Sequence, residues 1–399
     1  MADHVGTRKV LVIGGGIAGP LVAMFLQRIG MTPVIYESRS EPNDEAGAFL
    51  GLAPNGLAVL GLLGLDEEVR AAGTPTTSIV FENHVGKVLG NNPETVTTIK
   101  RGLLNRALRE AALARGITVE FGRRLRRVET SATAVTAYFE DGSEVTGDLL
   151  VGCDGIHSAT RRSLFPQARE PEYTGIVDCG AFTRSDAVPL SDGVMRMTFG
   201  VKGFFGYQRV PSGEVFWFEN HTTKDEPDRA KLDAIPSAEW RERLVRRHGD
   251  DQKHVLDIIR STQGPIDRWP IYDLPSLERW HKGRVCLVGD AAHASSPHVG
   301  QGASLAMEDA VWLAKCLRDV PDPVRAFAVF EDLRRDRVEK IVKEARRTGN
   351  QKAPTNVLTR GLRDLVLPFF LRLGVKSTEQ IYRYRVVWDE PVKVPSATR

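Results

Sequence analysis

A glycine-rich turn near the start of the chain has the spacing of a phosphate-binding loop. Gly14, Gly16 and Gly19 form a G-x-G-x-x-G pattern directly after a short apolar run that predicts a buried strand. Gly14 permits a tight turn, Gly16 lets the backbone approach a pyrophosphate, and Gly19 lets a helix pack closely against the strand. Ile17 and Ala18 stand at the start of that helix, whose N-terminus presents free N–H groups and partial positive charge to an anion.

The unit that begins with this turn ends in an acid. A helix-length apolar segment leads to a second apolar run, Pro33–Tyr36, and Glu37 follows about twenty residues after the turn. A carboxylate at that position accepts hydrogen bonds from ribose hydroxyls and repels a 2′-phosphate. The order of strand, glycine turn, helix, strand and acid therefore predicts a site for the ADP half of FAD or NAD and argues against NADP.

Two later segments place acids at the carboxyl ends of strands, where α/β sheets bind ligands. The buried-strand pattern Asp148–Cys153 runs into Asp154, and the pattern Arg284–Gly289 runs into Asp290. A second glycine-rich helix N-terminus follows the second acid. Its residues are Pro297, Gly300, Gln301, Gly302 and Ala303.

The composition is that of an ordinary globular protein with room for two or three domains. Of the 399 residues, 42% are hydrophobic and 26% are charged, with 54 basic against 51 acidic side chains. This even balance argues against a nucleic-acid partner. The four cysteines lack the spacing of a metal site, and Cys153 and Cys286, which lie in apolar strands, are predicted to be buried free thiols, which suits a reducing cytoplasm.

No apolar stretch has the length needed to cross a bilayer, so no membrane location is predicted. The apolar and basic segment Leu362–Val375 is interrupted by Asp364 and Pro368. We predict that it forms a packed pair of helices, and a membrane or partner surface is the alternative.

The elements around these motifs predict an α/β fold. The dinucleotide-binding domain is Rossmann-like, a mostly antiparallel sheet is inserted into it, and the C-terminal part is helical. We expect residues 1–171 and 276–350 to form the two parts of the dinucleotide-binding domain, the second part with interdomain helices. Residues 172–275 are expected to form the inserted sheet domain, and residues 351–399 a helical C-terminal segment. The inserted strands are predicted at Ile176–Thr183, Val194–Phe199, Phe204–Val210 and Glu214–Glu219. Tyr207, Phe216 and Phe218 lie among the aromatic residues there and are expected, with Pro297, to line a substrate pocket.

Three stretches together resemble the fingerprints of single-component FAD-dependent aromatic hydroxylases, the class A flavoprotein monooxygenases with the p-hydroxybenzoate hydroxylase fold. They are the glycine turn with Glu37, the Asp154 segment, and Gly289–His293 with Pro297–Gly302. The resemblance spans residues 9 to about 318, and its last stretch, which continues into Met307–Ala310, is the most specific. It implies an FAD-binding domain with an inserted substrate-binding sheet. It also implies a monooxygenase that uses FAD, NADH or NADPH, and O2 on an aromatic or polycyclic small molecule.

The resemblance further implies roles for individual residues in holding FAD. Glu37 would bind the adenosine ribose, and Arg101 would contact the pyrophosphate. Arg39 and the backbone near Leu125 would lie beside the adenosine. Asp290 would hold the ribityl or pyrophosphate portion.

The chemistry that the resemblance implies belongs to the flavin. The Asp154 segment would serve FAD and the nicotinamide donor together, and Pro297 would form the pocket wall beside the reacting carbon. The helix N-terminus at Gly300–Gly302 would stabilise the N1 anion of reduced flavin. Oxygen adds to that flavin to give a hydroperoxide, which survives only in a dry site. A base that deprotonates a phenol would help; Tyr207 and His221 are candidates, with packing or surface roles as the alternatives.

Several hypotheses stay open beside this one. Hydroxylation is favoured over epoxidation or ring-expanding oxygen insertion, and a role in secondary metabolism or aromatic degradation rests on analogy. A flavin-dependent halogenase would carry a Trp-x-Trp-x-Ile-Pro segment, which this sequence lacks. A flavin-dependent reductase of isoprenoid chains and a non-catalytic flavin-binding protein are further alternatives. The cluster Arg123–Arg127 is predicted to be a solvated strand edge, with attraction of a phosphorylated reductant as the alternative. The protein is expected to be a monomer or a homodimer.

Overall fold

The structure is a computed structural model that describes residues 8–44, 48–350 and 357–394. Residues 351–356 and 395–399 of the predicted C-terminal segment lie outside these ranges. The strands are β1 Lys9–Ile13, β2 Thr32–Tyr36, β3 Phe49–Leu52, β4 Thr74–Asn83, β5 Val88–Lys100, β6 Thr118–Glu120, β7 Leu125–Thr130, β8 Val135–Phe139, β9 Glu144–Gly147, β10 Leu149–Gly152, β11 Glu172–Arg184, β12 Val194–Phe199, β13 Phe204–Arg209, β14 Glu214–Thr222, β15 Asp267–Asp273, β16 His281–Lys282 and β17 Val285–Leu287. The helices are α1 Ala18–Arg28, α2 Pro54–Gly61, α3 Asp66–Ala72, α4 Arg101–Ala114, α5 Ala159–Leu164, α6 Arg229–Ala234, α7 Ser237–Arg247, α8 Lys253–Ser261, α9 Asp290–His293, α10 Gly302–Asp319, α11 Pro323–Asn350 and α12 Val357–Tyr382, with a 3-10 turn at Pro297–Val299.

The first sheet has the predicted dinucleotide-binding arrangement. Its six strands run in the order β16-β17-β10-β1-β2-β6. β1 pairs in parallel with β2 and with β10, and β10 pairs in parallel with β17. Parallel strands covered on both faces are apolar throughout rather than alternating, which explains why Val10–Val12 and Leu149–Val151 are fully buried. The carboxyl ends of these neighbouring strands therefore meet at one edge of the sheet.

The second sheet has eight strands in the order β15-β11-β14-β13-β12-β4-β5-β3. Its described pairings are antiparallel except for the parallel pair β12–β4. This confirms a mostly antiparallel sheet, and the four inserted strands lie where the sequence predicted them. The sheet is not confined to residues 172–275, however, because β3, β4 and β5 come from residues 49–100. Pairing between strands so distant in sequence is decided by the fold and leaves no local signal.

The two faces of the second sheet have different neighbours because successive side chains on a strand point to opposite sides. Helices α6, α7 and α8 cover one face and bury a core that includes Phe205, Tyr207, Trp217, Trp240 and Ile258. The other face looks onto the main cavity of the molecule. The domain boundaries stay a prediction, although β11 begins at residue 172 and β15 ends at residue 273.

The C-terminal segment differs from the prediction. Instead of a helix pair, α12 is one helix with Pro368 inside it. A proline removes one backbone hydrogen bond from a helix interior, and α12 continues because it packs along β5, where Leu371 lies against Gly90. Among the described residues, no helix is both long and apolar enough to cross a membrane.

A buried charged cluster ties β14 to the helices on the covered face of the second sheet. Glu219 is fully buried and lies 3.0 Å from His221 Nδ1, 3.3 Å from Arg247 and 3.6 Å from His248 Nε2. His248 Nδ1 lies 2.6 Å from Asp251. Burial by itself would lower the pKa of His248, but hydrogen bonds and attraction to Asp251 and Glu219 outweigh it and raise that pKa to about 9. His248 is therefore protonated and holds two acids together.

This cluster predicts a loss of stability at alkaline pH. A histidine whose pKa is raised on folding stabilises the fold fully below its unfolded pKa of 6.5 and loses that contribution as pH rises through about 9. We expect the free energy of unfolding, measured with urea, to fall by up to about 3 kcal/mol over this interval through His248. The free energy of unfolding of the variant His248→Gln should be lower than that of the wild type at pH 6.5 and should fall less steeply as pH rises. His157→Gln is the control: burial lowers the pKa of His157, so this histidine is neutral in both the folded and the unfolded state at alkaline pH, and the variant should keep the wild-type slope there. Identical alkaline slopes in all three proteins would contradict the assignment.

Candidate active site

Three segments that are far apart in sequence converge on one cavity at the carboxyl edge of the first sheet. Residues after β1, after β10 and after β17 line a cavity of about 1710 Å³. The predicted FAD-binding residues found in its wall are Gly14, Gly16, Ile17, Ala18, Glu37, Arg39, Arg101, Leu125, Asp154, Asp290, Pro297, Gly300, Gln301, Gly302 and Ala303. The structure thus brings together every predicted FAD contact except Gly19, which lies buried behind the turn.

The glycine turn has the geometry that its sequence predicts. Gly14 has a φ of +104°, and a Cβ there would lie 2.5 Å from the Cys153 carbonyl oxygen. A Cβ on Gly19 would overlap the Gly14 carbonyl oxygen, so Gly19 lets α1 pack against the turn. Gly16, by contrast, has no neighbouring atom within 4 Å of the position of a Cβ, so its backbone is open to the cavity. A phosphate group can therefore approach the turn at Gly16.

Glu37 closes the turn as well as facing the cavity. Gly15 N–H donates to its Oε2 at 2.7 Å, and Arg39 N–H donates to its Oε1 at 2.9 Å. These bonds fix the carboxylate at the end of β2, and carboxylate oxygens retain lone pairs for further donors such as ribose hydroxyls. The role of Glu37 as a ribose ligand stays a prediction that this position supports.

Asp154 has a structural task in addition to its place in the cavity wall. Its Oδ1 accepts from the Ser158 hydroxyl at 2.6 Å, and its Oδ2 accepts from Thr160 N–H at 2.9 Å and from the Thr160 hydroxyl at 3.0 Å. Ser158 in turn caps α5 by accepting from Arg161 N–H at 2.8 Å. The Asp-Gly segment is therefore a cap that anchors the turn between β10 and α5. Burial, followed by the nearby charge of Asp154, raises the pKa of the Cys153 thiol well above its usual value, so that thiol stays protonated.

The third segment presents a helix N-terminus to the cavity. Gly302 is the first residue of α10, which has no acid in its first turn to offset the positive end of the helix. The Asp290 carboxylate lies beside it, 3.9 Å from the position of a Cβ on Gly302. Asn55 donates to Gln301 Oε1 at 2.9 Å, which fixes the amide of Gln301. Within the described residues, Gln301 Nε2 is buried and has no hydrogen-bond partner.

Two adjacent acids of α10, which the sequence marks only as part of the third fingerprint, hold this segment in place. Asp309 accepts from Gly289 N–H at 3.1 Å and lies 2.6 Å from His293 Nε2 and 2.7 Å from Arg334 Nε. Burial by itself would raise the pKa of Asp309, but attraction to His293 and Arg334 outweighs it and brings that pKa to about 2. Glu308 lies 2.8 Å from Arg334 and accepts from Asn55 at 2.7 Å.

The second sheet supplies an apolar chamber in the same cavity. Its lining residues are Phe49, Leu50, Ile79, Phe81, Val96, Met195, Met197, Phe199, Phe204 and Phe218, with Leu367 and Leu371 of α12. Phe218 lies across the chamber floor over Gly206, where any Cβ would overlap the ring. The sequence indicated aromatic strands here but missed the contributions of β3, β4, β5 and α12, which are distant along the chain.

Three residues that were predicted to line the pocket or to act as a base do not line the cavity. Tyr207 packs in the core under α6–α8 and does not line the cavity, so its predicted roles as pocket residue and base are wrong. Burial raises the pKa of Tyr207 to about 12. His221 lies on the same covered face, paired with Glu219, and is likewise no base for this cavity. Phe216 lies behind Phe49, with ring centroids 4.4 Å apart, and supports the wall without lining it. The irregular alternation of these strands hid which residues share a face.

The basic cluster 123–127 pairs with acids of its own neighbourhood. Arg123 donates to Glu120 at 2.9 Å and to Asp141 at 2.9 Å, and Arg127 pairs with Glu129. Arg123 and Arg124 also line the cavity, so the solvated strand edge and the attraction of a phosphorylated reductant both stay predictions.

The residues in the cavity wall fit an FAD molecule. The open backbone at Gly16 and the N-termini of α1 and α10 suit phosphate and flavin anions. The buried and unsatisfied Gln301 Nε2 is a donor that such a ligand can satisfy. The acids Glu37 and Asp290 suit the hydroxyls of the ribose and ribityl groups.

Known proteins are similar to this chain in sequence and in fold. The family described as "FAD binding domain" matches residues 7–345. The 3-amino-4-hydroxybenzoate 2-monooxygenase of Streptomyces cremeus is 31% identical over 359 residues, which are 86% of this chain and 87% of that protein. The FAD-dependent urate hydroxylase of Klebsiella pneumoniae is 31% identical over 349 residues, 85% of this chain and 89% of that protein. The crystal structure of Klebsiella pneumoniae HpxO with FAD and uric acid has a TM-score of 0.82 and 25% identity, covering 93% of this chain and 97% of that one.

The fold and the shared cavity define a flavoprotein monooxygenase. The chain belongs to the FAD-binding-domain family of FAD-dependent monooxygenases and hydroxylases. The predicted family, fold class, cofactor and enzyme class are therefore confirmed. The similar proteins named above differ in their aromatic substrates, so membership of the family leaves the substrate of this chain undecided.

The position of Asp290 predicts a measurable effect on FAD binding. Asp290→Ala should weaken FAD binding about tenfold or more, because it removes a charged hydrogen-bond acceptor beside the N-terminus of α10. The FAD content of the purified protein and titration of the apoprotein with FAD both measure this. Asp233→Ala, which removes an acid from the wall of the same cavity on α6, is the matched control and should bind FAD normally. Equal affinities for the two variants would refute the role of Asp290.

Proposed function

We propose that this enzyme hydroxylates a planar aromatic or polycyclic small molecule, with FAD bound at the carboxyl edge of the first sheet and O2 as co-substrate. The observation that carries the proposal is the single cavity. The dinucleotide-binding edge and the apolar face of the second sheet open into the same space of about 1710 Å³. A flat apolar substrate in that chamber would lie against the flavin ring, as oxygen transfer between them requires.

The chemistry divides between the cofactor and the chain. Bound FAD, once reduced, supplies activated oxygen to the substrate. The chain excludes water from that encounter with apolar walls such as Met195, Met197 and Phe204. The N-terminus of α10 at Gly302 would stabilise negative charge in front of it. The chain needs no nucleophile of its own, and Cys153, the thiol in the wall, stays protonated.

NADH or NADPH is the transient reductant in this proposal. Arg162 and Arg347 line the same cavity and offer positive charge to a phosphorylated molecule. Within the part of the chain that the structure describes, the acidic partner of Arg162 is Glu170, 3.9 Å away, which leaves its guanidinium able to bind a phosphate. A location in the reducing cytoplasm is supported by four cysteines that are buried and free of disulfide bonds: Cys153, Cys179, Cys286 and Cys316. We also propose that the protein is a monomer or a homodimer.

A direct assay tests the proposed activity. The purified protein should carry yellow FAD, and a suitable aromatic compound should increase NAD(P)H oxidation and oxygen uptake together, with one oxygen atom added to the product by mass spectrometry. Consumption of NAD(P)H without oxygen uptake would support a reductase instead. FAD binding with no turnover across a broad panel of aromatic compounds would support a non-catalytic flavin-binding protein.

The chamber floor predicts a change in substrate size preference. In Gly206→Ala the new methyl group would overlap the Phe218 ring and push it up into the chamber. We expect kcat/KM for two- and three-ring substrates to fall about tenfold or more, and that for single-ring substrates to fall less. Tyr207→Phe changes the next residue, on the opposite face of the strand, and should leave both values unchanged. An equal loss for small and large substrates would show that Phe218 does not set the height of the chamber.

A further inference from the structure

A row of five residues crosses the chamber face of the second sheet, one on each of the adjacent strands β14, β13, β12, β4 and β5. The strand register pairs Phe218 with Gly206, Gly206 with Met197, Met197 with Phe81, and Phe81 with Gly90. The side chains of Phe218, Met197 and Phe81 line the cavity. Because neighbouring strands lie about 4.8 Å apart, these five residues, the apolar row, extend over about 19 Å. This length is more than twice the width of one aromatic ring.

Side chains from elsewhere cover both glycines of the apolar row. A Cβ on Gly206 would overlap the Phe218 ring, and a Cβ on Gly90 would lie 2.7 Å from Leu371 Cδ1. Leu371 belongs to α12 and lines the cavity as well. Leu367, four residues earlier on α12, packs in one apolar cluster with three residues of the row. The apolar row therefore runs from Phe218 to α12 without a polar side chain.

The elements around the apolar row bring no charge to it. Among the described cavity-lining residues of β12, β4, β5 and α12 none is charged, and the polar ones are Thr76, Asn92 and Tyr382. The Thr76 hydroxyl already has two hydrogen-bond partners at 2.8 Å each. By contrast, β15, on the far side of β14, brings Asp267 and Arg268 to the cavity. A charged group of a ligand along the apolar row would lose its hydration without compensation, whereas an apolar group gains by leaving water.

The twist of the sheet favours a flexible group over a rigid one. Adjacent strands are rotated by roughly 20–25° relative to each other, so the sheet surface turns by about 90° between β14 and β5. A flat, rigid ring system that lies against Phe218 therefore leaves the surface before it reaches Leu371. A flexible chain follows the turning surface. Met197, in the middle of the row, is itself unbranched and adapts its shape to such a neighbour.

We propose that the apolar row binds a flexible aliphatic chain, so that the substrate is an aromatic compound that carries a long chain of this kind. The aromatic ring lies against the flavin, and the chain lies over Met197 and Phe81 and ends near Leu371. Each methylene group that leaves water stabilises the complex. A chain that ends in a charged group is disfavoured, because the described residues there offer it no opposite charge. This inference rests on the proposed function, because it places the substrate in the chamber.

Binding of matched probes to the FAD-loaded protein tests the inference without turnover. The probes are 4-ethylphenol, 4-butylphenol, 4-hexylphenol and 4-octylphenol, and changes in flavin absorbance on titration give each dissociation constant. We expect each added methylene group to lower the dissociation constant about fourfold. The rigid compound 4-phenylphenol has as many carbon atoms as 4-hexylphenol. It should bind about tenfold more weakly, since it cannot follow the turning surface.

Two variants and a matched control locate the chain. Leu371→Asn should reduce the ratio of the dissociation constants of 4-ethylphenol and 4-octylphenol about tenfold or more, because it places an amide where the chain ends. The control Leu365→Asn changes a residue of the same helix that is 77% exposed, and it should keep the wild-type ratio. Met197→Gln places an amide of similar size in the middle of the row and should also reduce the ratio, without any change in α12. FAD content and unfolding temperature at wild-type values show that each variant is folded.

Three results would overturn the inference. The first is a set of dissociation constants that does not change with chain length. The second is binding of 4-phenylphenol as tight as that of 4-hexylphenol. The third is the same ratio in Leu371→Asn and Leu365→Asn.

The result is separable from that of the proposed function. If affinity rises with chain length and depends on Leu371 but no aromatic compound stimulates oxygen uptake, the chain site holds and the monooxygenase proposal fails. If oxygen uptake occurs and affinity does not depend on chain length, the monooxygenase proposal holds and the chain site is wrong.

Discussion

The site depends on two neighbouring carboxylates that are buried and fully compensated inside the protein. Glu308 and Asp309 are 1% and 0% exposed, and such acids destabilise a fold unless opposite charges and donors surround them. Arg334 contacts both acids, and its own side chain is fully buried. Without Arg334, Glu308 would keep Arg337 and Asp309 would keep His293, but no side chain would join the two acids. The arrangement therefore allows α10 and α11 a single relative placement.

Hydrogen bonds connect these two acids to the residues that line the cofactor site. Asp309 holds the backbone of Gly289 and the ring of His293, which bracket Asp290. Glu308 holds Asn55, and Asn55 holds Gln301 at the N-terminus of α10. Residues that face the cavity are thus fixed by residues that do not. The network around α10 therefore fixes the third segment of the cavity wall.

The second constraint is the shared wall between the two sheets. The parallel pairing of β12 with β4 joins the inserted strands to strands of the N-terminal segment, so one continuous apolar face closes over the dinucleotide edge. Because successive side chains on a strand point to opposite faces, alternate residues line the chamber or pack in the covered core. Phe218 and Asn220 face the chamber, while Trp217 and Glu219, their neighbours on β14, face the covered core. The same strand therefore contributes side chains to the apolar chamber and to the buried charged cluster.

The sequence by itself determined the parts of the site that depend on backbone shape over short distances. Gly14, Gly16 and Gly19 act through steric limits within one turn, and Glu37 follows at the length of one helix and one strand, so their spacing predicts their positions. The acids at the ends of β10 and β17 follow the same rule. These signals also carried the resemblance to the FAD-dependent hydroxylases.

Only the tertiary structure decided which side chains of the second sheet face the cavity. Tyr207 and Phe218 are both aromatic residues of predicted strands, yet one lies in the covered core and the other in the chamber. A shift of one residue in register reverses every side chain on a strand, and irregular alternation does not reveal that register. Phe81 and Met197 become neighbours only through pairing across 116 residues of chain, the interval between positions 81 and 197. Their juxtaposition is a property of the folded sheet, because nothing local in either strand specifies its partner.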